Sequence, residues 1–79
     1  MIPKLTAAKH IEGYRLQLEF SDGTRGEIDL EDQLWGEIFE PVRDPDFFKR
    51  FEVHPELNTL TWPNGADFAP EYLYQVIAA

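Results

Sequence analysis

Hydrophobic positions in the first third of the chain alternate with polar ones. Tyr14, Leu16, Leu18 and Phe20 are separated by Arg15, Gln17 and Glu19, and Gly26, Ile28 and Leu30 are interleaved with Arg25, Glu27 and Asp29. A period of two marks a strand with one face buried. The residues between the two runs, Ser21-Asp22-Gly23, set the register. A two-residue Asp22-Gly23 loop would place Leu18 opposite Glu27 and Leu16 opposite Asp29, mixing apolar and charged side chains on one face. A three-residue loop pairs Phe20 with Thr24, Leu18 with Gly26, Leu16 with Ile28 and Tyr14 with Leu30, which keeps one face apolar. The pattern therefore predicts the three-residue loop, with Gly23 in the left-handed position of a type I turn plus bulge. Leu5 to His10 reads as a preceding strand, turned through Ile11-Glu12-Gly13 into the second.

After Leu30 the period changes. Leu34, Trp35, Ile38, Phe39 and Val42 recur at spacings of three and four, which predicts one or two helical turns broken before Pro41. Asp44 ahead of Pro45 is the signature of a helix N-cap with proline at the first position. Phe47, Phe48 and Phe51 then supply the inward face, and Lys49 and Arg50 fall near the end favoured by the helix dipole. Alternation returns from Phe51 to Trp62, predicting a second hairpin connected by His54-Pro55-Glu56-Leu57-Asn58. Pro63-Asn64-Gly65 turns the chain, and Pro70 opens a last helix with Leu73, Val76 and Ile77 as its buried stripe. Together these describe an α+β domain over residues 1–79. A small antiparallel sheet, made of an N-terminal three-stranded meander plus a second short hairpin, packs with two or three short helices, the last at the C-terminus.

Composition narrows the chemistry. The 79 residues include no cysteine, so there is no disulfide, thiolate metal site or thiol nucleophile. No apolar run approaches the roughly 18 residues of a membrane span, and the start Met1-Ile2-Pro3-Lys4-Leu5 lacks a signal-peptide core. A cytoplasmic location is expected. A chain this short buries only about 60% of the surface it exposes when unfolded. Six Phe, three Tyr and two Trp must therefore supply much of the core, and oligomerisation would add stability. The formal charge is −8, with seven Lys and Arg scattered along the chain. That disfavours nucleic acid and anionic membranes, both of which need clustered basic residues, and favours a basic partner.

No catalytic motif is present. His10 and His54 have no metal-ligand neighbour at helical spacing, and Ser21, the single serine, sits in a tight turn. The five glycines are dispersed, not gathered into a phosphate loop. No cofactor is expected. Asp44, Asp46 and Asp67 are the candidates for a divalent cation, although each has a structural role available at a turn or helix start. Trp62-Pro63-Asn64-Gly65-Ala66-Asp67 admits two readings. It is either a recognition surface anchored by Trp62, Asn64 and Asp67, or architecture in which Trp62 closes the core and Asp67 bonds backbone amides. Trp35 and Phe39 carry the same alternatives, core or exposed docking patch.

Several strings resemble one family. They are Tyr14-Arg15-Leu16 with Phe20-Ser21-Asp22-Gly23; Asp29-Leu30; Phe39 to Val42; Arg43-Asp44-Pro45 with Phe48; and Thr61-Trp62-Pro63-Asn64-Gly65-Ala66-Asp67 with Pro70, Tyr72 and Leu73. From about Leu5 to Gln75 the chain resembles the bacterial domain-of-unknown-function family numbered 2442. The resemblance implies a small α+β domain, found alone or joined to a helix-turn-helix domain, and often encoded beside a second small protein in a proposed toxin–antitoxin pair. This chain would be the antitoxin-like, neutralising member. The family attributes no catalytic residues, and with no helix-turn-helix after the last predicted helix, direct DNA binding is not expected.

Three functions follow as expectations. The first is a non-catalytic protein-binding module that meets a small basic protein, through the strand face of Arg15, Gln17, Glu19, Glu27 and Asp29 or through the Trp62–Asp67 loop. Charge reversal at Glu19 and Glu27 should then weaken the partner. The second is a small ligand- or metal-binding domain using Asp44, Asp46 or Asp67. The third is a homodimer that pairs exposed strand edges.

Overall fold

A computed structural model describes residues 3–78; Met1 and Ile2, which open the N-terminal segment, and Ala79, the last residue of the expected domain, lie outside it. In chain order the elements are β1 (Leu5–Glu12), β2 (Arg15–Phe20), β3 (Arg25–Asp29), three 3-10 turns (Glu31–Gln33, Glu37–Phe39 and Pro41–Arg43), α1 (Pro45–Phe48), β4 (Glu52–Val53), β5 (Leu60–Thr61) and α2 (Pro70–Ala78). Strands β1, β2 and β3 form an antiparallel meander, and β4 and β5 a separate hairpin. The expected α+β class and arrangement are observed.

The β2–β3 register is the one that keeps one face apolar. Leu16 pairs with Ile28 and Leu18 with Gly26. Around the loop, the Phe20 N–H donates to the Thr24 carbonyl at 2.9 Å and the Gly23 N–H to the Phe20 carbonyl at 3.0 Å. Gly23 takes φ +88°, which a side chain would resist. Asp22 accepts the Thr24 N–H at 2.9 Å, completing the turn.

Three boundaries differ from expectation. Strand β1 runs to Glu12, with irregularities between Leu5 and Ala7 and between His10 and Glu12. Those bulges let it stay paired with β2 up to a tight turn at Gly13-Tyr14. The expected one or two helical turns after Leu30 are 3-10 turns, Glu31–Gln33 and Glu37–Phe39, and a third follows at Pro41–Arg43. Gly36, at φ +92°, interrupts the segment, and Pro41 begins the third turn instead of ending the second, since its fixed φ suits a first helical position. In α2, Leu73 is fully buried and Ile77 partly so, but Val76 is exposed. The buried face instead runs through Leu73, Tyr74 and Ile77, because Tyr74 meets Phe20 edge-on at 5.1 Å.

The core lies between the inner face of the meander and the later elements. Leu16, Leu18, Phe20 and Leu30 from the sheet side meet Val42, Phe48, Leu60 and Leu73, all at most 1% exposed. Helix α1 begins as the Asp44-Pro45 pair predicts, with Asp44 Oδ1 accepting the Asp46 N–H at 2.9 Å. It delivers Phe48 into the core.

Helix α2 closes against β3 at a site with no spare volume. A methyl group at Gly26 would lie 2.9 Å from Ile77 Cβ. Gly26→Ala should therefore destabilise the fold by about 1–3 kcal/mol, seen as a lower urea midpoint, and Ile77→Ala in the same chain should not relieve it, because alanine keeps the Cβ that makes the close contact. The same helix is tied to the β2–β3 loop by Tyr74, whose hydroxyl donates to Asp22 Oδ2 at 2.7 Å. That bond, reinforced by the Thr24 backbone N–H, holds the Asp22 carboxyl below its ordinary pKa. A lowered carboxylate pKa stabilises the fold above the unfolded-state value, and the contribution disappears as pH falls through the folded-state value. Tyr74→Phe should raise the Asp22 pKa in an NMR titration and leave the chain less sensitive to acid below about pH 4.

Candidate functional site

Each sequence candidate has a definite place. Trp62 follows β5 directly and is buried in the core, 3% exposed. Its indole Nε1–H donates to the Phe48 carbonyl at 2.9 Å, which meets the requirement that a buried indole find an acceptor. Its ring contacts Phe48 at 5.7 Å, Phe68 at 5.8 Å and Phe39 at 6.2 Å. Of the two readings open to Trp62, its burial fits the architectural one. The next residues form the turn that architecture requires, with the Gly65 N–H donating to the Trp62 carbonyl and Gly65 at φ +92°. Asn64 is exposed, yet both ends of its amide are engaged. Oδ1 accepts the Ala66 N–H at 3.2 Å, and Nδ2 donates to the Ile38 carbonyl at 2.7 Å. Asn64 thus clips the turn to the 3-10 segment. Asp67 is exposed and pairs with Thr61 through a backbone bridge.

The outward face of the meander mixes both signs of charge. Glu19 pairs with Arg25 across the strands, Gln17 with both Lys9 and Glu27, and Arg15 with Asp29. Arg15 also bonds Glu27 at 2.6 Å and Glu12 at 3.2 Å. Lys9, Arg15 and Arg25 therefore offset Glu19, Glu27 and Asp29 on one surface. Arg15 and Arg25 of the hairpin already mix the signs of charge, and β1 adds Lys9 and Glu12.

The titratable candidates are occupied by backbone. The His10 Nε2–H donates to the Gly13 carbonyl at 2.9 Å. His54 Nδ1 accepts the Glu56 and Leu57 N–H groups, each at 3.1 Å. Ser21 Oγ accepts the Lys4 N–H at 3.0 Å, and Asp44 caps α1. Among the described residues, no group of three or more His, Asp or Glu side chains is placed to hold a metal ion.

A different surface stands open. Between Leu34 and Val42, both buried, the 3-10 segment turns Trp35 and Ile38 outward, 72% and 48% exposed. With Gln33, Gly36, Phe39, Phe68 and Tyr72 they line a groove of about 440 Å³. Phe39 lies 5.0 Å from Phe68, which stacks at 6.1 Å on Tyr72, so aromatic rings form its floor. Of the two fates open to Trp35, exposure is the observed one, while Phe39 bridges groove and core.

Charge separates along the chain in the same way. From Gly26 to Val42, and from Phe51 to the end, there is no Lys or Arg, yet these stretches hold ten of the fifteen acidic residues. Every groove-lining residue comes from them. Exposed Asp32, Glu37, Glu40, Asp67 and Glu71 neighbour the lining residues in the chain. This segregation was legible in the sequence as two stretches free of basic residues, but it gains meaning only when the fold brings both to one groove.

The family model described as "Protein of unknown function (DUF2442)" matches residues 5–78. The chain belongs to the DUF2442 family. No curated protein and no solved structure matches it. The DUF2442 match covers every element from β1 to α2, including the Asn64 clip and the groove.

The two tryptophans should respond oppositely to substitution. Trp62→Phe removes the donor to a buried carbonyl and loosens its packing against three aromatic neighbours, at a cost of about 2–4 kcal/mol. Trp35→Ala should stay within about 0.5 kcal/mol of the parent, as exposed positions do. Urea unfolding of both variants checks the contrast.

Proposed function

We propose that this DUF2442 chain is a non-catalytic protein-binding module that meets a small basic partner in the cytoplasm and acts by covering it. The observation that carries this reading is the segregation of charge. The stretches that line the exposed apolar groove hold no Lys or Arg, and exposed Asp32, Glu37, Glu40, Asp67 and Glu71 are chain neighbours of the lining residues. An acidic field around an apolar patch speeds encounter with a basic protein and excludes acidic ones. The occupation of His10, His54, Ser21 and Asp44 by backbone groups supports a role without chemistry. The antitoxin-like role implied by the family resemblance is one form of this activity, in which the covered partner is a toxin encoded alongside.

Co-purification of the tagged chain with the product of the adjacent gene, from the native host, tests the proposal. A stoichiometric complex with a basic protein, dissociating as salt rises, is the expected result. Glu37→Lys with Glu40→Lys should weaken that complex more than Glu19→Lys with Glu27→Lys, because the latter pair sits among Lys9, Arg15 and Arg25. A chain that elutes alone at low salt overturns the reading. A symmetric dimer by light scattering would replace it with self-association.

A further inference from the structure

The groove is specific enough to describe what fills it. Its floor of Phe39, Phe68 and Tyr72 is aromatic, and Trp35 and Ile38 form an apolar wall. Trp35 and Ile38 flank Gly36, whose φ of +92° and open surroundings leave no neighbour within 4 Å of an added side chain. The indole beside it is 72% exposed. The base of that segment is fixed, because Leu34 and Val42 are buried and Asn64 holds the Ile38 carbonyl. A large exposed indole on a firmly held base, beside a concave aromatic floor, is the arrangement of a binding hot spot.

We infer that the groove seats one large apolar side chain of a short basic segment from the partner, with Trp35 covering it and the neighbouring carboxylates meeting its Lys and Arg residues. This rests on the proposed protein-binding function and assigns its contact surface and the motif it reads. Charge decides between occupants. A second copy of the chain would bring the same acidic stretches into contact, and like charges across an interface oppose association. An acidic or neutral apolar ligand would leave the flanking Glu37, Glu40 and Glu71 without partners. A segment with an apolar anchor between basic residues satisfies both groove and rim. The anchor supplies burial, and the basic flanks supply steering and register.

The test uses the full chain and three synthetic twelve-residue peptides without tryptophan. The first carries one Phe flanked by Lys and Arg, the second has that Phe replaced by Ala, and the third has the basic residues replaced by Glu. Binding is followed by titration calorimetry and by the emission of Trp35, with Trp35→Phe identifying which indole responds. The expected result is binding of the first peptide alone, with a blue shift that Trp35→Phe abolishes. Trp35→Ala should weaken it by about thirtyfold or more, as loss of a central aromatic anchor does, and Glu37→Gln with Glu40→Gln should reduce its salt dependence.

Equal binding of the Ala peptide would overturn the inference by making charge alone sufficient, while leaving the protein-binding function intact. Binding of the Glu peptide, or of none, would also overturn it. The adjacent gene product tests the function separately. If it co-purifies equally with parent and Trp35→Ala chains, the function stands and the groove is not its site. If concentration-dependent dimers form and Trp35→Ala abolishes them, the occupant is a second copy.

Discussion

The hydrogen bond from the Trp62 indole to the Phe48 carbonyl ties the end of the second hairpin to α1, whose buried ring reaches the meander. Phe48 is the last residue of the short helix α1 and is fully buried. Its ring meets Tyr14 edge-on at 5.0 Å and His10 at 6.2 Å, so it links the meander to everything after Asp44. Trp62 extends that contact to Phe39 and Phe68. In a chain without disulfides, burying an indole of roughly 150–250 Å² contributes about 4–6 kcal/mol before entropy is counted, comparable to the whole net stability of a small domain. The rest of the second half hangs on this pair. The two-residue strands β4 and β5 hold few ladder bonds of their own and depend on it for their position.

That dependence explains why a groove exists. The 3-10 segment spans from β3 to α1 and is held at Leu34, Phe39 and Val42. Single 3-10 turns cannot present a continuous face as an α-helix does, so the residues between those points turn outward. With the Asn64 amide holding Ile38 from one side and Phe68 and Tyr72 on the other, the exposed side chains border a concave floor instead of a flat surface. The features that stabilise the core also shape the groove.

Electrostatics follows the same division. The meander mixes Lys9, Arg15 and Arg25 with its carboxylates and forms ion pairs among them, which leaves little net field there. The stretches that line the groove, by contrast, carry Asp32, Glu37, Glu40, Asp67 and Glu71 with no Lys or Arg among them. The distribution of the −8 net charge, not its total, distinguishes a steering surface from a solubilising one.

The amino-acid order alone determined the β2–β3 register, the Gly23 loop, the Asp44-Pro45 helix start, the second hairpin and the family. These depend on alternation and turn chemistry among residues a few positions apart, and every such residue is present in a short window. Where the window carried weak or competing signals, as in β1, in the segment after Leu30 and at Val76, the boundaries moved. Only the tertiary structure decided which tryptophan is core and which is surface. Trp35 sits in a run of helical spacing and Trp62 at the end of an alternating one, and neither pattern by itself separates a core ring from an exposed one. Their difference comes from a carbonyl fourteen residues away that accepts the hydrogen bond of Trp62, and from Gly36, which turns the backbone beside Trp35 away from the core. Burial of a large polar-tipped ring needs both volume and an acceptor, and chain folding, not sequence proximity, brings those together.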